Sequence, residues 1–253
     1  MWHRLTQAAL VTNVDDEIAQ AVARYGWYHT IDLGDGVVTP GMFDHRPVVD
    51  RYMLPESLEG MRCLDVGTMD GFWAFEMERR GAAEVVATDV GAVDELDWPR
   101  QWRERIQPAL DETKAERFAL VSGARGSSAN RIERSVYELD PAEIGLFDLV
   151  FCGDLLVHLK DPITAVQRIL GVCRGSAIVC NPAKRFPFAR RRALAEFDGI
   201  DQFRWWLLSE ASIERMLLAA GFDRIEVGRR FELPPTDGGP WRGLRCVMRG
   251  HVR

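Results

Sequence analysis

The chain has 253 residues, of which 47% are hydrophobic and 28% are charged, and its formal net charge is −6 at pH 7. This length allows one large or two small domains, and the composition is that of an ordinary globular protein. No run of about 18 or more apolar residues is present, so the sequence predicts no membrane-spanning helix. The acidic balance argues against nucleic-acid binding by the molecule as a whole.

The cysteines and the N-terminal residues indicate a cytoplasmic protein. The five cysteines are Cys63, Cys152, Cys173, Cys180 and Cys246. Their odd number and their spacing match neither a disulfide framework nor a metal site, so we expect reduced, buried thiols and no metal. The N-terminal residues lack a long apolar core and a small-residue cleavage site, so we expect no secretion signal.

Residues 1–60 predict a small cap made of a helix and a hairpin. The pattern over residues 14–25 is that of an amphipathic helix, with Asn13 available as its N-cap and Gly26 as its stop. Asp35-Gly36 follows aromatic and β-branched residues, which is typical of a β-hairpin turn.

From residue 61 strand and helix patterns alternate, which predicts a mostly parallel sheet with helices on both faces, in one domain over residues 61–253. The strands are expected at 61–66, 84–90, 147–153, 175–182, 223–233 and 243–252, and residues 131–140 are expected to form a strand followed by a loop. The helices are expected at 70–80, 98–110, 112–123, 163–173 and 209–222, the fourth preceded by the capping pair Asp161-Pro162.

The stretch RCLDVGTMDGFWAFEMERRGAAEVVATDV suggests a cofactor site. Asp65 ends a buried strand, and Gly67 and Gly71 flank a tight loop before a helix, where a ligand can approach the backbone closely. The spacing differs from the G-x-G-x-x-G of a dinucleotide site, with Met69 where a second close glycine is expected. Asp89 ends the next strand, a position from which a carboxylate accepts ribose hydroxyls.

S-adenosylmethionine (SAM) fits these two acids, since it has a cationic amino group for Asp65, a ribose for Asp89 and no phosphate. The alternative is that both acids only cap the ends of strands and helices.

The segments LDVGTMDG, ATDV, SVYELDP and FDLVFCGDLLVHLKDP, in this order and spacing, resemble the class I SAM-dependent methyltransferases. The resemblance covers residues 61–222 well and the tail loosely. It implies an α/β, Rossmann-like sheet of seven mostly parallel strands, with the last strand antiparallel and SAM across the carboxyl ends of the first strands. WYHTIDLGDG, VHLKDP and RWWLLSEASIERMLLAAGF are similar to the tRNA wobble-uridine carboxymethyltransferase group and its small-molecule methyltransferase relatives.

The resemblance also implies which residues bind the cofactor. They are Asp65, Gly67, Thr68, Gly71, Asp89, Val90, Ser135, Val136 and Gly153. Two departures from the family pattern stand out. Met69 replaces the usual middle glycine, so the loop is expected to lie farther from the ligand. Val157 precedes His158 where the carboxymethyl-transferring enzymes carry a tyrosine, so we expect ordinary SAM and transfer of a plain methyl group.

Three residues are candidates for catalysis. An acceptor hydroxyl must lose a proton during in-line methyl transfer, and an imidazole near neutral pKa suits that task. His158 follows the carboxyl end of a strand and is the first candidate for a general base; the alternative is that it bonds the backbone and closes the pocket. His29 is either a second pocket residue or an ordinary hairpin side chain. Asp154 lies close by.

Aromatic residues predict the wall of an acceptor site. They are Trp27, Tyr28, Phe43, Phe197 and Trp205, for which core packing is the alternative. Such a wall suits a flat or apolar small molecule, and O-methylation is the default expectation.

Two other functions stay open. KRFPFARRR, residues 184–192, holds five cations, which either grip tRNA phosphates or form a solvated basic face. Nucleic acid is therefore a possible but secondary partner. The third interpretation is a protein with the SAM-binding fold but no catalytic activity, and its only support is Met69 in place of the usual glycine. The sequence does not indicate an oligomeric state.

Overall fold

A central sheet organises the computed structural model, which describes residues 14–110, 113–187, 192–199, 203–239 and 242–253. The strands are β1 Trp27–His29, β2 Asp32–Gly34, β3 Val37–Val38, β4 Gly41–Phe43, β5 Arg62–Val66, β6 Glu84–Asp89, β7 Asn130–Glu133, β8 Phe147–Gly153, β9 Cys173–Pro182, β10 Ala195–Phe197, β11 Trp206–Leu208, β12 Arg224–Val227, β13 Phe231–Glu232 and β14 Leu244–His251. The α-helices are α1 Val14–Val22, α2 Phe72–Arg79, α3 Arg100–Leu110, α4 Thr113–Arg125, α5 Pro141–Ile144, α6 Pro162–Gly171 and α7 Glu210–Ala220.

The main sheet has the strand order β12-β14-β9-β8-β5-β6-β7. Strands β5 to β9 are parallel, and β14 runs antiparallel to both β9 and β12. The predicted Rossmann-like fold is therefore confirmed, with the two-residue β13 as an addition that pairs with β14. The chain leaves β5 toward β6 on one side and reaches β8 on the other. Ligands bind at such a reversal of strand order, outside the carboxyl ends of the strands.

Two apolar layers cover the faces of the sheet. Along β5, Cys63 packs in one layer while Leu64 and Val66 pack in the other, because successive side chains of a strand point to opposite faces. Helices α2 and α4 cover the first face, through residues such as Phe118, and α6 and α7 cover the second, through residues such as Ile169. Burial on both faces explains why the strand segments read as continuous apolar runs. All five cysteines are free and buried.

The helix ends follow the capping residues. Asp161 caps α6 by accepting a hydrogen bond from the Thr164 N–H at 3.0 Å, and Gly221, with φ of 117°, ends α7 as predicted. Helix α2 begins at Phe72 rather than at Asp70, because Gly71 is left-handed with φ of 96°. Helix α1 ends at Val22, earlier than predicted, and its expected cap, Asn13, lies outside the described residues.

The segment before β5 forms short strand pairs. Strands β2 and β3 make the predicted hairpin, in which Asp35 and Gly36 have φ of 49° and 81°, as a type I′ turn requires. Strands β1 and β4 add a parallel pair that the sequence did not predict, with Trp27 opposite Gly41. A Cβ on Gly41 would lie 2.1 Å from the backbone carbon of His29, so only glycine permits this pairing. The division of the chain at residue 60 remains a prediction.

The described residues contain neither a membrane-spanning helix nor a cluster of metal-binding side chains. No helix there is long and apolar enough to cross a bilayer. No group of side chains in the same part of the chain has the composition of a metal site.

Candidate functional site

Two adjoining cavities open where β5, β6 and β8 end. The larger has a volume of about 360 Å³ and the smaller about 220 Å³. They share lining residues and therefore lie side by side, and together they have a size that suits a cofactor and a small second ligand. The shared residues are Gly67, Asp89, Leu96, Trp98, Leu155 and His158.

The loop after β5 has the backbone that its glycines predict. Gly67 and Gly71 have φ of 76° and 96°, and a Cβ on Gly71 would lie 2.4 Å from the Phe75 ring. Met69 also adopts a left-handed φ, of 51°, which glycine tolerates better than a side-chain-bearing residue. Its N–H donates to Asp89 Oδ2 at 2.9 Å, which holds the loop in place despite the missing glycine.

Asp65 lines the larger cavity and is almost completely buried. The residue is 1% exposed, and the Thr68 hydroxyl donates to its Oδ2 at 2.6 Å. Burial raises the pKa of Asp65 to about 6, although the bond from Thr68 opposes this rise. A cationic group in the cavity would stabilise the ionised carboxylate, so the site favours a ligand with an ammonium group.

Asp89 has a partner that sequence reasoning missed. Lys114, at the start of α4, places Nζ 3.0 Å from Asp89 Oδ1, and the two side chains are only 3% and 8% exposed. The N–H groups of Met69 and Val90 also donate to Asp89, at 2.9 and 2.8 Å. A carboxylate has about four acceptor positions, so about one remains for a ribose hydroxyl. No spacing rule connects Lys114 to the acid, since 25 residues separate them.

The smaller cavity gathers the residues predicted at the adenine end. Val90, Ser135 and Val136 line it, together with Tyr137. Ser135 caps the short 3-10 helix Val136–Glu138 by accepting from the Tyr137 N–H at 3.3 Å. The structure therefore brings together predicted residues that lie about 45 positions apart in the sequence.

His158 borders both cavities and is half-buried. Its Nδ1 lies 2.7 Å from the carbonyl oxygen of Phe203, and since a carbonyl only accepts, Nδ1 carries the proton. The rings of His158 and Phe203 stack at 5.2 Å. Burial lowers the pKa of His158, although the bond to Phe203 opposes this effect. The ring is therefore neutral at pH 7, with Nε2 as the unprotonated nitrogen.

His29 lines the larger cavity and pairs with Asp70. The carboxylate of Asp70 contacts the ring Nδ1 of His29 and accepts from the N–H groups of Tyr28 and His29, at 2.8 and 3.1 Å. Burial alone would raise the pKa of Asp70, but the interactions with His29 outweigh it and lower the pKa below its usual value. Asp70 thus fixes the orientation of His29, a role that the sequence did not reveal.

The larger cavity is lined by four neighbouring polar residues, behind which Arg245 contacts Asp154. Asp154 Oδ2 accepts from Arg245 Nε at 2.9 Å, from Arg245 Nη2 at 2.7 Å and from the Tyr28 hydroxyl at 3.2 Å. His45 and Tyr52 line the cavity beside them. We call these five residues the polar end. Only a cation inside the apolar run LRCVM signals Arg245 in the sequence.

The predicted aromatic wall is only partly at the cavity. Trp27 and Tyr28 line it, as do Gly153 and Asp154. Phe43 is buried behind Tyr28, with its ring centroid 5.2 Å away. Phe197 and Trp205 are not among the lining residues. Phe197 is 60% exposed and stacks on Trp205, whose indole N–H donates to the carbonyl of Asp97.

Phe203 and Trp98 line the cavity in their place. Their rings lie 5.2 Å apart and pack with His158. Phe203 lies only two residues before Trp205, so the sequence indicates the aromatic cluster but not which of its rings faces the cavity.

Comparison with known proteins identifies related sequences. The methyltransferase domain family model matches residues 46–227. The chain is 34% identical over 112 residues to the ubiquinone biosynthesis O-methyltransferase of Pectobacterium carotovorum subsp. carotovorum, covering 44% of this chain and 38% of that protein. It is 33% identical over 136 residues to the magnesium-protoporphyrin O-methyltransferase of Rhodobacter capsulatus, covering 53% and 50%. The matched region thus spans half or less of these relatives.

Solved structures share the fold. The N-terminal domain of EvdMO1, crystallised in the presence of S-adenosylhomocysteine (SAH) and D-fucose, superposes with a TM-score of 0.63 and 17% identity over 95% of this chain and 98% of that one. Magnesium protoporphyrin IX methyltransferase from Synechocystis PCC 6803 with bound SAM gives a TM-score of 0.53 and 13% identity over 82% and 77%.

Proposed function

The chain belongs to the methyltransferase family whose domain model matches residues 46–227, and from this membership we propose that it transfers a methyl group from SAM to an oxygen atom of a small molecule. The observation that carries the proposal is His158, a neutral imidazole fixed at Nδ1 by a carbonyl 2.7 Å away and facing both cavities. Such a group can take the proton of an acceptor hydroxyl.

The residues of the two cavities fit SAM, the cofactor of this enzyme class. Asp65 suits the cationic amino group, Asp89 suits a ribose hydroxyl, and the smaller cavity at Val90, Ser135 and Val136 suits the adenine. A Cβ on Gly67 would lie 3.2 Å from a Leu155 methyl group, so the glycine leaves room between these two walls. SAM supplies an electrophilic methyl group on a sulfonium centre.

The chain's own work is then to position the acceptor, exclude water and accept a proton. In the proposal Nε2 of His158 accepts the proton while the Phe203 carbonyl holds the opposite side of the ring. Trp98 and Phe203 shield this region from water. Asp154 belongs to the polar end, and His29, held by Asp70, forms the wall between that end and the loop.

Two observations support a small acceptor over tRNA. The site is a cavity with aromatic walls, which suits a compact ligand. The two curated relatives are named as O-methyltransferases of ubiquinone biosynthesis and of magnesium-protoporphyrin. The tRNA alternative depends on residues 184–192, of which 188–191 lie outside the described residues. In that segment Lys184 pairs with Glu196 at 2.6 Å, which offsets one of its cations.

Calorimetric titration with SAM, SAH, carboxy-SAM and NAD tests the cofactor. We expect SAM and SAH to bind and NAD not to bind. Preference for carboxy-SAM would favour the carboxymethyltransferase alternative, and binding of none of the four would favour a non-catalytic protein.

Replacement His158→Gln tests the base, because glutamine keeps an N–H for the Phe203 carbonyl but cannot accept a proton. With labelled SAM and catechol as the acceptor, we expect methyl transfer to fall by about 10²- to 10⁴-fold while SAH affinity stays unchanged. The control is His251→Gln, at the end of β14 and outside both cavities. Because the pKa of His158 is lowered, the acid limb of the wild-type pH–rate profile should lie below pH 6.5. Wild-type turnover in His158→Gln would eliminate this residue as the base.

A further inference from the structure

Three buried atoms at the polar end have no partner. His45 Nδ1, Tyr52 Oη and Asp154 Oδ1 form no hydrogen bond with any described residue. His45 and Tyr52 are only 2% and 1% exposed, and all three residues line the larger cavity. Buried polar atoms are nearly always bonded, so three unpaired ones around one cavity indicate a polar ligand.

The polar end borders the residues that fit the cofactor and extends away from them. Asp154 follows β8 and donates its N–H to the Cys180 carbonyl in β9 at 2.8 Å, while Arg245 is in β14. Asp65 and Asp89 end β5 and β6. In this strand order β14 is three strands from β5, about 14 Å at the usual strand spacing, whereas β8 lies directly beside β5. The polar end therefore begins at Asp154, beside the cofactor residues, and extends away from them toward β14, the side of the site that remains for an acceptor.

The backbone of Asp154 supports a functional role. Its φ is 53°, a left-handed conformation that side-chain-bearing residues seldom adopt. Residues held in such conformations cluster at ligand sites, where the surrounding structure stabilises them. Here the two bonds from Arg245 hold Asp154 Oδ2, so that Oδ1 alone is left to accept a further donor.

The polar end is electrically neutral. The Arg245 guanidinium offsets the Asp154 carboxylate. Burial lowers the pKa of His45 well below its usual value and raises the pKa of Tyr52, so both side chains are uncharged at pH 7. This surrounding favours a neutral ligand group and disfavours a carboxylate or phosphate, which would meet Asp154 Oδ1.

We infer that the polar end recognises the methyl acceptor, and that this acceptor is a neutral ring carrying a second hydroxyl besides the oxygen that receives the methyl group. The second hydroxyl donates to Asp154 Oδ1 and accepts from the Tyr52 hydroxyl. Aromatic rings complete the site, with Trp73 only 4.2 Å from the Tyr52 ring, centroid to centroid. This inference rests on the proposed methyl transfer, and a carbohydrate and a polyphenol share the chemistry it requires.

The test compares matched ligands on protein saturated with SAH. Catechol is compared with phenol, and D-fucose with a deoxy-D-fucose, by calorimetry. Ligands of this size bind at about millimolar concentrations, so titrations extend to about 10 mM. We expect either catechol or D-fucose to bind about tenfold more tightly than its analogue with one hydroxyl fewer, because the analogue leaves buried polar atoms unpaired. A difference in affinity within the catechol–phenol pair identifies a polyphenol as the acceptor, and a difference within the fucose pair identifies a carbohydrate.

Tyr52→Phe removes only the unpaired hydroxyl. We expect it to raise the melting temperature of the ligand-free protein, because an unpaired buried group is lost, and to reduce the tenfold preference to about twofold. SAH affinity should not change. The control is Tyr25→Phe, whose hydroxyl donates to Glu116 outside the cavities and should affect neither preference nor SAH affinity.

Three results would contradict the inference or the proposed function. Equal affinity for both members of each pair, or no binding of either catechol or D-fucose, refutes the acceptor class. A loss of SAH affinity in Tyr52→Phe would assign the polar end to the cofactor. Failure of the wild-type protein to bind SAH refutes the proposed methyl transfer itself, and is thereby distinguished from failure of this inference.

Discussion

Replacing Lys114 by methionine removes one half of the buried ion pair beside the loop. Nζ of Lys114 is 3.0 Å from Asp89 Oδ1, and both side chains are more than nine-tenths buried. Removing one partner of such a pair costs about 3–5 kcal/mol, since the other charge is left uncompensated. Asp89 would keep the N–H groups of Met69 and Val90, so the lower value, about 3 kcal/mol, is expected.

Urea unfolding measures this cost, and a double-mutant cycle isolates the pair. Asp89→Asn removes the charge that Lys114→Met leaves behind, so the double variant should recover about 2 kcal/mol relative to the sum of the single changes. The control is Lys160→Met, which breaks the more exposed pair with Asp97 and should cost less than about 1 kcal/mol. The reasoning fails if Lys114→Met unfolds like the wild type, or if the two single changes simply add.

Two further predictions concern the loop and its acid. Gly71→Ala should destabilise the protein by about 2–4 kcal/mol in thermal unfolding, because φ is 96° and the new Cβ would lie 2.4 Å from the Phe75 ring. The control is Gly123→Ala inside α4, where a new Cβ would have no other atom within 4 Å. This change should stabilise the protein by about 0.5–1 kcal/mol. The pKa of Asp65 is raised to about 6, so the folded protein binds a proton at this residue more tightly than the unfolded chain does. The free energy of unfolding should therefore fall by about 3 kcal/mol as pH rises from about 4 to 6, and Asp65→Asn should not show this fall. SAH binding near pH 6 should then release protons from Asp65, which calorimetry in two buffers of different ionisation enthalpy detects; binding without proton release would separate Asp65 from the ligand's amino group.

The sheet and the cofactor loop were predictable because their signals are local. Apolar runs of five to ten residues separated by helical patterns specify parallel strands, and the acids and glycines that follow those runs lie at one edge by topology alone. Gly67 and Gly71 indicated left-handed backbone, and both adopt it. Even Met69 follows the rule, because the surrounding bonds impose the glycine-like conformation on it.

The partners of these residues were not predictable, because they are brought close only by tertiary packing. Lys114 reaches Asp89 across 25 residues, and Arg245 reaches Asp154 across 91. Neither pair has a spacing rule. Phe197 and Phe203 illustrate the same limit, since both flank one aromatic cluster and only the fold determines that Phe203 turns inward. Composition indicates aromatic walls, but it does not assign a direction to each ring.

Asp70 connects the loop to the N-terminal segment and, through it, to the acceptor side of the cavity. Its carboxylate binds the backbone of Tyr28 and His29, and the Tyr28 hydroxyl donates to Asp154. One chain of hydrogen bonds thus runs from the loop between Gly67 and Gly71 to the polar end. Because Asp70 is fully buried and ionised, it cannot release these partners without leaving an uncompensated charge. The position of Tyr28 is therefore set by the same loop that forms the cofactor wall, which makes the first strands of the chain a part of the site rather than a cover over it.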